Sequence, residues 1–133
     1  MRSRILVNAA IAAALAFAFA ACGGGGGGSP TSPSANDGPI AATIVIDATG
    51  TVAPKDVTVP VGSRVTFTNN HLAAHDMSSD PHPVHTLCPS LNVGLTNPGQ
   101  SATSRNLDTA RVCTYHDHIN ETNTALMGTI RVQ

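Results

Sequence analysis

Asp56-Val57-Thr58-Val59-Pro60-Val61-Gly62-Ser63-Arg64-Val65-Thr66-Phe67-Thr68-Asn69-Asn70 carries the pattern from which the fold follows. Val57 and Val59 alternate with polar neighbours, and so do Val65 and Phe67, so each run presents its apolar side chains on one face of an extended strand. Pro60 to Gly62 turn the chain between the runs, and Asn69-Asn70 end the second. Working outward, Thr43-Ile44-Val45-Ile46-Asp47 reads as an earlier strand, and residues 101–107, 110–116 and 128–132 as later ones, with Pro54 and Pro98-Gly99 at turns. No stretch after the N-terminal region has a helical period. Short strands at regular spacing predict an all-β sandwich.

The residues before this region read as an address. Arg2 and Arg4 give a positive start, residues 5–21 an Ala-rich apolar run too short for a convincing membrane span, and Ala20-Ala21 precede Cys22. Residues 1–21 are therefore expected to be a signal peptide ending at a bacterial lipoprotein cleavage site, although Phe19 stands where such sites usually carry Leu. Lipid on the Cys22 sulfur would anchor the chain. Gly23 to Gly28 and the Ser/Thr/Pro stretch after them bury nothing, so residues 22–39 are expected to form the lipid-attached cysteine and a flexible tether. Residues 40–133 remain as one domain. The expected location is the bacterial envelope, on the outer membrane or the periplasmic face, with Gly23 after the cysteine resembling outer-membrane lipoproteins.

Composition narrows the function classes. Without Arg2 and Arg4, five basic residues face eight acidic ones, which argues against a nucleic-acid surface. Trp is absent and aromatics are scarce, so a base-stacking or carbohydrate platform is disfavoured. There is no Gly-x-Ser-x-Gly elbow and no phosphate loop, and an enzyme is not expected. With Cys22 assigned to lipid, Cys88 and Cys113 form an even pair in an oxidising compartment, and a disulfide between them is the default. The competing reading keeps Cys113 as a thiolate metal ligand.

All six histidines lie between His71 and His118, and Cys113-Thr114-Tyr115-His116-Asp117-His118 is the densest part. Soft ligand types crowded into one region point to a metal site, copper ahead of zinc. His116 and His118, an i, i+2 pair, can chelate one ion from an extended segment. Asp80-Pro81-His82-Pro83-Val84-His85 is a proline-bracketed loop expected to bring His85 over the site, with His82 left in solvent. His71 is expected to hydrogen-bond locally, and Asp117 either to orient a ligating imidazole or to sit on the surface.

The stretch quoted first resembles the opening of cupredoxins, the blue-copper fold, in which a strand, a Gly turn and a strand ending in Asn precede the first copper histidine. His75 stands where that histidine is expected. Leu95-Thr96-Asn97-Pro98-Gly99-Gln100-Ser101 is similar to the family's Pro-Gly-Glu/Gln turn, and Met127-Gly128-Thr129-Ile130-Arg131-Val132 to its closing strand. The resemblance covers most of residues 44–132 and implies a Greek-key β-sandwich with copper at one end.

The family's ligand set is where the sequence departs. Cys113-Thr114-Tyr115-His116 has the Cys-x-x-His spacing, giving a blue-copper alternative of His75, Cys113 and His116. Register against the family instead puts Asp117 at the cysteine position and Cys113 at a core-facing aromatic position. Leu126 occupies the usual place of the axial methionine, with Met127 next to it. These departures favour a histidine-rich site of His75, His85, His116 and His118. The expected function is a copper-binding exported lipoprotein that binds, stores or delivers copper, its partners being the membrane and a redox or copper-handling protein. A blue-copper electron carrier and a metal-free interaction module are the alternatives.

Overall fold

A computed structural model describes residues 37–133, and the signal peptide and most of the tether expected from the sequence lie outside the described residues. The elements are β1 (Ile40–Ile46), β2 (Val52–Ala53), β3 (Asp56–Val59), β4 (Arg64–Asn69), β5 (His75–Ser79), β6 (Leu95–Thr96), β7 (Ser101–Thr103), β8 (Arg111–Asp117) and β9 (Gly128–Val132). Short 3-10 turns lie at Pro89–Leu91, His118–Asn120 and Thr124–Leu126. They form two mixed sheets, of order β2-β1-β4-β7 and β3-β9-β8-β5-β6. The pairs β1/β4 and β3/β9 are parallel, with the chain crossing between sheets at the Pro60–Gly62 turn, and the other pairs are antiparallel. The expected all-β sandwich is what the chain forms.

The alternation read from the sequence places the core. In β4, Val65, Phe67 and Asn69 are buried and the residues between them are only partly so. Phe67 meets Tyr115 of the facing sheet edge to face, ring centroids 5.3 Å apart. Ile44, Ile46, Val59, Val65, Met77, Leu91, Leu126 and Ile130 are among the other residues of the interior. The Tyr115 hydroxyl donates to the Lys55 carbonyl at 3.1 Å. Burial, with Asp56 adding to it, pushes the Tyr115 phenol well above its ordinary range. Gly128 is required beside it, since a Cβ there would collide with the Lys55 carbonyl and the Tyr115 ring.

Three strands escaped the sequence reading. Two of them, β2 and β6, are two residues long. The third, β5, reads His-Asp-Met-Ser-Ser and has one apolar residue, yet four of its five positions are buried. Its polar groups are satisfied locally: Ser79 N–H donates to the Asn92 side chain at 2.8 Å, and Ser79 Oγ donates to the His85 carbonyl at 3.1 Å. The strand expected over residues 101–107 stops at Thr103, where Ser104 turns its hydroxyl to accept from Val65 N–H at 3.0 Å.

Cys88 and Cys113 are joined by a disulfide with Cα atoms 5.8 Å apart, both residues buried. It ties the segment between β5 and β6 to the middle of β8.

Candidate metal centre

The site is built from the two faces of β5 and β8. Their antiparallel register sets Met77 opposite Asp117, Ser78 opposite His116 and Ser79 opposite Tyr115. Tyr115 packs on Phe67 of the other sheet, so the side of β8 carrying Cys113, Tyr115 and Asp117 faces the sandwich interior. His116 therefore points to the outer face, together with Ser78 of the neighbouring strand. Asp80, two residues beyond Ser78, follows on that face and accepts a bond from His116 Nδ1 at 2.7 Å. The loop after β5 sets the His82 and His85 ring centroids 5.6 and 5.2 Å from that of His116, which is only 3 % exposed.

Four imidazoles meet there. His82, His85, His116 and His118 each offer one nitrogen, and these atoms all lie within 4.8 Å of one another. The His85 and His116 ring centroids are 5.2 Å apart, and those of His85 and His118 are 4.7 Å apart. His85 Nε2 faces His118 Nδ1 at 3.2 Å. Two ligand nitrogens on a tetrahedral ion with bonds of the usual length stand about 3.3 Å apart, so this pair already has the spacing of a chelate. His85 holds its ring there from a left-handed backbone, φ +50°. Such a conformation costs a non-glycine residue on the order of 1 kcal/mol and is concentrated at functional sites.

One atom tests whether a metal suits this group. His116 Nδ1 is engaged by Asp80, while its Nε2 is buried and is the one such side-chain atom without a hydrogen-bond partner among the described residues. A carboxylate on one ring nitrogen fixes the tautomer and leaves the other as a lone pair, which is how metal-ligating histidines are commonly held. An orphaned buried nitrogen costs about 1–3 kcal/mol, and coordination would remove that cost. Burial, and then the nearby His118, His116 and His82, hold the His85 imidazole below its ordinary proton affinity, a shift that favours the neutral form a metal requires. The residues present fit a metal ion bound by nitrogen.

The group differs from the expected set in one member. His85, His116 and His118 come together, and His82, exposed to solvent as expected, stands at the edge of the group as its fourth imidazole. The loop over residues 80–88 carries both His82 and His85, and it sets the His82 ring centroid 4.9 Å from that of His118. His75, expected as a ligand, stands apart on the inner face. It is 1 % exposed, its Nδ1 is bonded to Asp117 Oδ2 at 2.9 Å, and its Nε2 to His71 Nδ1 at 2.9 Å. The alternative of His75, Cys113 and His116 lacks its thiolate because Cys113 is in the disulfide, and His75 and His116 lie on opposite faces.

Asp117 is buried, so the surface reading of it does not hold. Burial alone would raise its carboxyl, but hydrogen bonds from Asp76 N–H, His75, Asn120 and Ile119 N–H outweigh this and hold it below the usual carboxylate range. It orients His75, and the carboxylate on a clustered imidazole is that of Asp80. The sequence signal for Asp80 was its period-two relation to the strand facing His116, which could not be seen before β5 was known to be a strand.

Comparison with solved structures places the scaffold. A purple cupredoxin from Nitrosopumilus maritimus aligns with a TM-score of 0.56 at 22% identity, over 69% of this chain and 99% of that one. An oxidised plastocyanin from Dryopteris crassirhizoma gives 0.56 at 18% identity, over 68% and 99%. A mutant of amicyanin in its Cu(I) form gives 0.52 at 17% identity, over 70% and 82%. No protein-family model matches the chain, and no curated protein sequence matches it.

Proposed function

Starting from a cupredoxin fold, shared with plastocyanin and amicyanin, we propose that this chain binds one copper ion through His82, His85, His116 and His118 and serves to hold or deliver it. The carrying observation is the buried, unpartnered Nε2 of His116 beside three other imidazoles. Copper(II) is favoured over zinc for an all-imidazole set because it binds nitrogen donors more tightly, and a four-nitrogen shell suits either ion in geometry. The ion would supply a single positive centre able to cycle between two charges. The chain's own groups do the remainder: Asp80 orients His116, the disulfide ties the segment bearing His82 and His85 to β8, and the loop after β5 sets their rings beside His116. Four ligands leave no open position of the kind catalytic sites keep, which favours a binding role over turnover.

The composition of residues 1–39 supports export and attachment to the bacterial envelope through lipid on Cys22, with a copper-handling or redox protein as partner. The test is metal retention. The chain, purified without its signal peptide and loaded with Cu(II), should keep one equivalent through dialysis, and His82→Ala or His118→Ala should lower that occupancy. Full retention in a variant lacking all four of these histidines, or none in the parent, would overturn the proposal.

A further inference from the structure

We propose that His75 is a positioning residue for the four-histidine centre, acting through Asp117 from the opposite face of the sheet; this rests on the metal-binding reading above. Asp117 lies between two members of the cluster in sequence; strand alternation turns it inward where His116 turns outward, and His118 opens the 3-10 turn that follows β8. Its two oxygens receive four donors. Oδ1 accepts Asp76 N–H at 2.9 Å and Ile119 N–H at 3.3 Å, while Oδ2 accepts Asn120 Nδ2 at 2.8 Å and faces His75 Nδ1 at 2.9 Å. The Ile119 bond caps the 3-10 turn at His118–Asn120, and the Asp76 bond pins the end of β8 to β5. Together they fix the backbone on both sides of residue 117, and so the direction in which His118 leaves the strand.

His75 completes the arrangement. Its ring is wholly enclosed, with His71 closing its far side. His71 is itself held by its N–H on Asn69 Oδ1 at 2.9 Å, so the line from the loop after β4 to Asp117 has little freedom to shift. A side chain so placed touches no member of the cluster, yet it sets the rotamer of the carboxylate that locks the turn presenting one of them. Partners bonded directly to a ligating ring typically change metal affinity 10- to 100-fold when removed, and His75, one step further out, should act in the same direction with a smaller effect.

The experiment compares the purified parent chain with His75→Leu, which keeps bulk and removes the donor, and His75→Gln, which offers an amide N–H in its place. Imidazole proton–nitrogen spectra of the metal-free chains are recorded first, then Cu(II) affinity by competition with a chelator and the copper electron-spin spectrum. His75→Leu should move the ring signals of His118 and His116 in the metal-free chain, weaken Cu(II) about threefold, less than loss of a direct partner of a ligating ring, and alter the copper spectrum. His75→Gln should restore most of each change. Unmoved ring signals and an unchanged copper spectrum in His75→Leu would overturn the inference. If the leucine variant does not fold, Asp117→Asn, which keeps shape and loses charge, decides by the same readings. Should the parent itself fail to hold copper, the binding proposal falls while the metal-free spectra still judge the positioning role.

Discussion

Asp80→Ala removes the carboxylate that holds His116 at 2.7 Å while leaving all four imidazoles in place. In the parent the bond fixes the ring's rotation and engages Nδ1, leaving the unpartnered Nε2 as the atom turned to the cluster. Without it the ring can rotate or place its proton on Nε2, and metal binding must first reverse this. A hydrogen bond to a charged group contributes about 1.5–3 kcal/mol when buried. The Asp80 side chain is 41% exposed, so water takes over part of its role and the lower end applies. That corresponds to about a 10-fold loss of Cu(II) affinity. Asp80→Asn keeps an acceptor but loses the charge, and about a threefold loss is expected. Chelator competition on folded variants, checked by circular dichroism, reads both. Affinity in Asp80→Ala within twofold of the parent would show that His116 does not depend on its carboxylate for metal binding.

Reduction of the Cys88–Cys113 disulfide, or Cys88→Ser with Cys113→Ser, should lower stability by about 3–4 kcal/mol from the closed loop alone, and should weaken metal binding because the segment bearing two ligands is released; urea unfolding with a copper titration reads both, and unchanged affinity would count against the staple. The metal-free chain should lose stability as pH falls from the ordinary histidine range through the depressed folded value of His85, since the unfolded state then binds more protons than the folded; unfolding midpoints that stay flat or rise on acidification would contradict this. Tyr115→Phe should cost about 1 kcal/mol through the lost bond to the Lys55 carbonyl, read by chemical unfolding. Gly128→Ala should be far more disruptive, because its Cβ would meet the Lys55 carbonyl and the Tyr115 ring, and normal expression and melting of that variant would be inconsistent with the packing described.

Where apolar residues alternate, the chain could be read directly. The stretch from Asp56 to Asn70 and the closing Gly128–Val132 lie as the period-two pattern required, and alternation in β8 correctly separated Cys113, Tyr115 and Asp117 from His116. The polar strand β5 was invisible because it is buried by hydrogen bonding, with Met77 its one apolar residue. Its absence from the reading explains both surprises at the site. Without β5 there was no way to see that His75 lies on the inner face beside Asp117, or that Asp80 lies on the outer face beside His116. The cysteine pair was legible by count, whereas the place of His82 depends on how the loop folds over β8, which no pattern in residues 80–85 encodes.

A centre of imidazole nitrogen without sulfur has a distinct signature in X-ray absorption at the copper edge of the loaded chain. The spectrum should show a shell of nitrogen scatterers at about 2.0 Å, with the outer-shell scattering of several imidazoles, and should lose it when His82, His85, His116 and His118 are replaced together. A sulfur scatterer at about 2.3 Å, or a nitrogen shell that survives the fourfold replacement, would contradict such a centre.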